Sequence, residues 1–416
     1  MGLRHLWGGG LRRGSGCLGL PPCVGTQHVL EIGATFQGSE KVTHFPAATW
    51  VKRRRLDRIP TTSFWTALLE DLEHCARGHV GGVPIAGSGG VAWRFVLLYA
   101  KGDEEQRANE WGLAHYGGAD EVCPDCRGNR TDVPWTDCQR DALWRSTTAM
   151  TFEQWSARLR APPHPLASSP FCWRMFFYPD YMHIMDCAGV SSVLFGGVLS
   201  ILLREPALGD TNQARLDSVN VCIRDWYAKH PGWNRLPAFL LQNLRGADKW
   251  WNLHGPSIKA ANTRQAAPAF AALARECLVS DSLEHRLAVE ATCLLEEWYD
   301  LLATAPMFFP SELCGRFDQV TTDLGICMQR LRMVSLDNGR LAFPVRPKLH
   351  RMLHLPFYAS SISPKVVSCY ADESHIGTLC KVWKRSVSGR WQAHAQKTVL
   401  QKRWLAILLR FELGLC

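Results

Sequence analysis

The spacing of apolar residues is irregular in the first part of the chain and becomes helical after Pro179. Residues 1–58 are glycine-rich and then basic, and they show little periodicity. The apolar, β-prone run over residues 91–100 predicts a buried strand, which leads into Gly102 and Asp103. An acid at the end of a buried strand lies where the chain leaves the core, so Asp103 is a candidate metal ligand.

Beyond Pro179 the apolar residues recur every three or four positions, which is the spacing of one helix face. This periodicity predicts helices over residues 184–204, 211–229, 236–246, 265–279, 282–304, 311–333, 347–356, 372–386 and 394–413. The charge-free stretch over residues 187–203 is short for a membrane span and contains Gly196 and Gly197. We therefore expect a buried helix there.

These elements predict a mixed, predominantly α fold for the 416 residues. A chain of this length holds two or three domains, or one domain with a large insertion. We expect an unassigned N-terminal region, a candidate for disorder, over residues 1–58 and a core segment with a CxxC motif over residues 59–186. A helical insertion should follow over residues 187–340, and a second core segment over residues 341–416.

The composition indicates a globular, intracellular protein. Hydrophobic residues make up 46% of the chain and charged residues 20%, which is typical of a folded protein. The 16 cysteines lack the spacing of a disulfide framework, which favours a reducing compartment, the nucleus or elsewhere inside the cell. Residues 1–29 contain no acid, as in an organelle transit peptide, but the glycines at 8–10 disfavour the amphipathic helix of such a peptide.

The net charge of +9 is concentrated in residues 52–55 and in the last part of the chain. A charge run is usually a solvated face, but residues 374–411 contain no acid at all. An acid-free stretch of this length favours an anionic partner, and DNA is the partner that we expect. The candidate nucleic-acid-binding residues are Lys381, Lys384, Arg385, Arg390, Lys397, Lys402 and Arg403.

Two short motifs carry the residue types that bind zinc. Cys123 and Cys126 form a CxxC, and two thiolates at this spacing can bind one tetrahedral metal ion. His350 and His354 stand four positions apart, which puts both imidazoles on one face of a helix. The two pairs could complete one structural zinc site. The alternatives are free thiols with unconnected histidines, or a local site completed by His115, Cys138, His164 or Cys172.

Acidic residues flank these motifs. Asp103 precedes the Cys pair and Glu373 follows the His pair, so a shared zinc would bring both acids into one neighbourhood. Paired carboxylates can hold Mg²⁺ for phosphodiester chemistry. Asp372 is the alternative to Glu373, and both acids could instead favour the start of a helix electrostatically.

A further acid and imidazole lie at the start of the long apolar stretch. Asp180 and His183 are one helical turn apart, and Asp186 follows one turn later. Asp180 is expected to cap a helix. Together with His183 it could also bind a metal ion or a phosphate.

Several strings of this sequence resemble DDE/D transposases of the CACTA-like (tnp2) group, and most of all the transposase-derived proteins of dinoflagellates. In chain order they are CPDCRGN, DVPWTD, PDYMHIMDCAGV, RPKLHRMLHLP and YADESHIG, and the resemblance covers about residues 90–410. It implies an RNase H-like α/β core, here partial, with a helical insertion that fits residues 187–340. It also implies three acids that bind two divalent metal ions, and a D/C-x-x-H signature that matches Asp180 and His183.

The resemblance further implies roles for the metal-binding motifs. In the related V(D)J recombinase a CxxC and a His pair, in the same order, share one zinc. Asp103 and Glu373 match the second and third catalytic acids, which would hold Mg²⁺ in an active enzyme. The first acid lacks a counterpart, because no Asp precedes Asp57 and Glu31 is a poor substitute.

The predicted function is that of a transposase-derived nucleic-acid-binding protein in which DNA strand transfer or cleavage is impaired by the missing first Asp. DNA is the expected partner, a homo-oligomer is compatible with this function, and no membrane is involved. One alternative is a non-enzymatic, zinc-stabilised DNA-binding or interaction protein. Another is a metal-dependent hydrolase that uses Asp180, His183 and the His pair without the Cys pair.

Overall fold

The computed structural model describes most of the chain between residues 99 and 370. The described residues are 66, 69–70, 72–74, 76–77, 79–80, 83–84, 99–109, 111–114, 121–159, 161–173, 175–244 and 248–370. The predicted helices over residues 372–386 and 394–413 lie outside this set, as does the N-terminal region. Most of the strand predicted over residues 91–100 also lies outside it.

The chain divides into two compact units, each with a short pair of strands. The first unit comprises residues 1–30 and 71–96. It contains the antiparallel strands β1 (His79–Val80) and β2 (Val83–Pro84), in which Val80 pairs with Val83.

The second unit comprises residues 31–70 and 97–416. Its strands β3 (Ala100–Gly102) and β4 (Phe177–Pro179) are buried and parallel, and Gly102 lies opposite Pro179. Strand β3 contains the end of the predicted strand, whereas β4 was not predicted. Because the two strands are parallel and in register, the residues that follow them leave the pair at the same edge.

Helices make up most of the described part of the second unit. In chain order they are α1 (Glu104–Asn109), α2 (Leu143–Ser146), α3 (Phe152–Ser156), α4 (Tyr181–Met185), α5 (Val190–Leu202), α6 (Asn212–Lys229), α7 (Ala260–Gln265), α8 (Ala267–Cys277), α9 (Leu283–Thr304), α10 (Ser311–Asp337), α11 (Pro347–Met352) and α12 (Leu355–Ala359). The predominantly α fold is therefore confirmed.

Helix α5 is buried along its whole length, as predicted for the charge-free stretch. The segment Tyr181–Leu202 is long and apolar enough by composition to cross a membrane, but 89% of its most apolar window is buried inside the structure. Glycine is needed at two positions because neighbours approach closely. A Cβ atom on Gly196 would lie 2.5 Å from the backbone of Asn252, and one on Gly197 would lie 2.2 Å from the ring of Phe343.

The helix predicted over residues 236–246 is wrong. The structure has extended chain there, followed by a single 3₁₀ turn at Leu241–Asn243. The side chain of Asn220 on α6 accepts a hydrogen bond from the Phe239 backbone N–H at 2.7 Å and donates one to its carbonyl oxygen at 3.1 Å. These bonds occupy backbone groups that a helix would need for its own hydrogen bonds.

The two longest helices, α9 and α10, pack along each other. Trp298 on α9 is fully buried, contacts the ring of Phe317 on α10, and donates its indole N–H to Thr321 at 3.0 Å. Arg316 and Glu297 form a surface ion pair across the same pair of helices. This helical layer follows the first part of the core in sequence and precedes the segment that carries the His pair.

Candidate metal centre

The Cys pair and the His pair converge in one buried cluster, although 224 residues separate Cys126 from His350. The four ligand atoms all lie within 4.8 Å of one another. The Cys126 Sγ is 3.3 Å from Nε2 of His350, and Nε2 of His354 is 3.1 Å from the same nitrogen. The exposed fractions are 0% for Cys123 and Cys126, 2% for His350 and 1% for His354.

These distances fit a tetrahedral zinc ion. With zinc–sulfur bonds of about 2.3 Å and zinc–nitrogen bonds of about 2.1 Å, a tetrahedron separates sulfur from nitrogen by about 3.6 Å and two nitrogens by about 3.4 Å. The observed separations are only slightly shorter, so the ligands need to move apart by a few tenths of an ångström. Two thiolates and two imidazoles are a closed donor set of the kind that holds structural zinc.

Backbone N–H groups of the CxxC loop donate hydrogen bonds to both sulfurs, which favours the thiolate form that binds a metal ion. The Asp125 N–H donates to Sγ of Cys123 at 3.4 Å, and the Gly128 N–H donates to Sγ of Cys126 at 3.2 Å. A Cβ atom on Gly128 would lie 3.1 Å from Sγ of Cys126 and 3.4 Å from Nε2 of His350. A larger residue at this position would therefore push against the ligands, which favours glycine there.

The His pair is held by helix α11 and the turn that follows it. His354 lies just beyond the last residue of α11, and its backbone N–H still bonds to the Arg351 carbonyl oxygen at 3.1 Å, which continues the turn. The ring of Trp144 on α2 packs edge-on against both imidazoles. The distance between ring centroids is 4.6 Å to His350 and 4.9 Å to His354. A cavity of about 380 Å³ borders His354 and Trp144.

The protonation states in the cluster favour metal binding. Burial would raise the pKa of Cys123, but the hydrogen bond with Cys126 and the charges of His354 and Arg351 lower it well below the ordinary value. Burial and the neighbouring Cys123 raise the pKa of Cys126. Burial lowers the pKa of His350, which keeps its imidazole neutral, as a metal ligand must be. One thiol therefore ionises readily, and a bound cation would bring the second to ionise.

A buried network of ionic side chains joins the CxxC loop to the His pair. Asp125, between the two cysteines, is 3% exposed. Its carboxylate accepts hydrogen bonds from Arg351 at 3.0 Å and from the Tyr358 hydroxyl at 2.5 Å. Arg107 on α1 lies 3.6 Å from the same carboxylate, and it donates to the Phe177 carbonyl oxygen on β4 at 2.5 Å.

The same network extends to the chain that follows Asp103. Arg351 donates to Glu104, the first residue of α1, at 2.5 Å. Burial would lower the pKa of Arg351, but Glu104, Cys123 and Asp125 raise it, so the guanidinium stays charged. The metal centre is therefore connected through ion pairs to the edge of the β3–β4 pair.

The local alternatives are not part of the cluster. The Cys138 thiol is buried, which raises its pKa to about 12, and it contacts the Thr136 carbonyl oxygen. His164 caps a 3₁₀ turn by accepting from the Leu166 N–H at 3.2 Å. Burial raises the pKa of Cys172 to about 12. His115 lies outside the described residues.

Asp103 and Asp180 stand directly after β3 and β4, so both acids leave the strand pair at one edge. The expectation that Asp180 caps a helix agrees with the structure, because its carboxylate accepts from the N–H groups of Met182 and His183 at the start of α4. The same carboxylate accepts from the Cys369 N–H at 2.9 Å and lies against the His183 ring.

Asp186 has a different role from the other two acids. Its carboxylate is fully buried and accepts hydrogen bonds from the hydroxyls of Tyr299 and Tyr370, the latter at 2.6 Å. Burial raises the pKa of Asp186 to about 7, against the lowering effect of these hydroxyls. The sequence did not suggest either tyrosine as a partner.

The remaining predicted site residues, Asp372, Glu373 and the basic residues from Lys381 onward, lie outside the described residues. The proximity of Asp103 and Glu373 and the basic face therefore stay predictions. No protein-family model matches the chain, and no curated protein has a significantly similar sequence.

Proposed function

We propose that this chain is a transposase-derived nucleic-acid-binding protein whose partial RNase H-like core is held together by a structural zinc ion. The observation that carries the proposal is the convergence of the Cys pair and the His pair. They converge in the order and with the partners that the sequence resemblance implies.

The closed ligand set supports a structural rather than a catalytic role for the zinc. Four protein ligands, each at most 2% exposed, leave no position for water or substrate. Catalytic zinc sites keep such a position open. Because the two imidazoles face the two sulfurs, this geometry favours the proposal over a hydrolase that would use the His pair without the Cys pair.

The position of Asp103 supports the RNase H-like part of the proposal. It follows a buried strand, and Asp180 follows the parallel neighbour. The Glu104–Arg351–Asp125 ion pairs connect this edge to the zinc ligands. In an active enzyme Asp103 and Glu373 would hold Mg²⁺, which would activate an oxygen nucleophile for attack on a phosphodiester. With the first acid missing, we expect that chemistry to be impaired.

The DNA-binding part rests on the net charge of +9 and on the acid-free stretch near the C-terminus. Fluorescence anisotropy with a labelled duplex should show binding without strong sequence preference. The logarithm of affinity should fall linearly with the logarithm of salt concentration, by about 0.9 per phosphate contact. Absent binding at low salt, or binding insensitive to salt, would contradict the proposal.

A matched pair of variants locates the binding surface. Replacing Lys381, Lys384 and Arg385 by Ala should reduce the salt slope by up to about 3, whereas replacing exposed Arg224 and Lys229 on α6 should leave it unchanged. A parallel incubation of DNA with Mg²⁺ or Mn²⁺ tests the chemistry. We expect no cleavage; cleavage that Asp103→Asn abolishes would show instead that catalysis survives.

A further inference from the structure

Three further metal-binding side chains converge outside the zinc centre. Asp180, His183 and Cys369 each offer a ligand atom, and these atoms lie within 4.8 Å of one another. Asp180 is 2% exposed and Cys369 is 1% exposed, whereas His183 is partly accessible to solvent. None of the three belongs to the Cys2His2 cluster.

Each of the three side chains is held by a different part of the fold. Asp180 directly follows β4 and caps α4, and His183 lies in the first turn of α4. Cys369 is far away in sequence, but its backbone N–H bonds to Oδ1 of Asp180 at 2.9 Å. The preceding Ser368 carbonyl oxygen accepts from Lys101 on β3 at 3.3 Å. The geometry thus belongs to the core and does not depend on a surface loop.

The Asp180 carboxylate retains room for a metal bond. Oδ1 accepts from the N–H groups of Met182 and Cys369, which fills both of its lone pairs. Oδ2 accepts one backbone bond, from His183 at 3.2 Å, and its second lone pair contacts Nδ1 of the His183 ring. A metal ion held by these two atoms would take the place of the proton between them. Capping uses one part of this carboxylate and leaves the other directed into the cluster.

We propose that Asp180, His183 and Cys369 form a second metal site, for Zn²⁺ or a similar transition metal. One carboxylate oxygen, one imidazole nitrogen and one thiolate are ligands for zinc, cobalt or iron, whereas magnesium prefers oxygen alone. Within the described part of the chain no fourth His, Cys, Asp or Glu joins these three. Four-coordinate zinc takes one ligand beyond these three, which water, an oxygen of a bound molecule or a further side chain can supply.

This second site is independent of DNA binding and goes beyond the proposed function. Its ligand Asp180 follows β4, whereas Asp103 follows the parallel neighbour β3, so both acids stand at the same end of the strand pair. Its mixed donor set distinguishes it from the closed zinc centre, where two thiolates and two imidazoles fill the shell. The two sites can therefore be tested separately on the full chain.

The test is metal content, measured by mass spectrometry on the full chain after loading with Zn²⁺ and removal of free metal. We expect two zinc ions per wild-type chain and one in His183→Gln. Asp180→Asn should also hold one ion, because Asn caps a helix about as well as Asp but carries no charge. Cys126→Ser should lose the other ion, and Cys222→Ser, a half-buried cysteine in neither cluster, should keep both.

Cobalt gives a second readout that does not rely on stoichiometry alone. Thiolate-to-cobalt charge-transfer absorption should fall by about one third in Cys369→Ser, since three of the proposed ligands are thiolates. If Cys369→Ser fails to fold, His183→Gln decides, because its side chain is partly exposed. Wild-type metal content in both His183→Gln and Asp180→Asn would overturn the second site and leave the Cys2His2 centre intact.

Discussion

Removing the Asp125 carboxylate should destabilise the protein strongly, because three buried side chains contact this one group. Asp125→Ala takes away the carboxylate that lies against Arg351, Arg107 and Tyr358. Arg351 keeps an ion pair with Glu104. Arg107 is 1% exposed, and Asp125 is the carboxylate beside it, so its charge would be left buried without compensation.

The magnitude follows from the loss on one side of a buried ion pair. Such a change costs about 3–5 kcal/mol, and the remaining pair on Arg351 favours the lower end, about 3 kcal/mol. That is a large fraction of the roughly 5–15 kcal/mol by which a folded protein is stable. Tyr358→Phe, which removes a single hydrogen bond to the same carboxylate, should cost only about 1–3 kcal/mol.

Urea unfolding followed by tryptophan fluorescence measures these differences. Asp132→Ala, at an exposed position in the same loop, should stay within about 0.5 kcal/mol of wild type. Zinc content should remain unchanged in Asp125→Ala, which separates the ionic effect from metal loss. A second change, Arg107→Met, should restore stability to Asp125→Ala, because a hydrophobic side chain replaces the uncompensated charge. A cost below about 1 kcal/mol, or no rescue, would refute the reasoning.

Two further changes test the pH response and the metal centre. Burial raises the pKa of Asp186 to about 7, so this group stabilises the fold fully below about pH 4, and that contribution is lost as the pH rises through 7. Asp186→Asn cannot ionise and should flatten the decline of the urea midpoint between pH 5 and 7; an unchanged decline would contradict the assignment. Gly128→Val should lower zinc affinity about 10- to 100-fold in a chelator competition, because its side chain would displace Cys126 and His350. Gly315→Ala on α10, where a Cβ meets nothing within 4 Å, should leave the affinity unchanged.

The sequence predicted the elements and pairs that have a regular period or spacing. Two cysteines three positions apart and two histidines four positions apart can be recognised in the sequence alone. Their convergence then follows if the two pairs bind one zinc ion together. Helix α5 was predicted equally well, because an apolar run without charges is stable in few environments, and a buried helix is one of them. These features depend on neighbours along the chain, which a sequence displays directly.

The missed features depend on contacts between distant segments. Asp125, Arg107 and Arg351 come from three separate segments, and a charged residue in a sequence does not reveal whether its partner is water or another side chain. Cys369 joins Asp180 and His183 only because its segment docks on β3 and β4. The extended chain at Phe239 is likewise fixed by hydrogen bonds to Asn220, which lies 19 residues earlier and outside any local sequence pattern around Phe239.

The long separation in sequence between the Cys pair and the His pair affects the entropy of folding and the tolerance of the intervening segment to insertions and deletions. Closing a loop of 224 residues costs about 5 kcal/mol of chain entropy, and doubling its length would add only about 0.6 kcal/mol. The helical segment between the ligands can therefore grow or shrink with little effect on closure. If a protease cut the exposed connection between α5 and α6, the two pieces would stay joined through the ion. A chelator would then act on the nicked protein as a reducing agent acts on a disulfide, by removing metal bonds that join ligands on the two pieces.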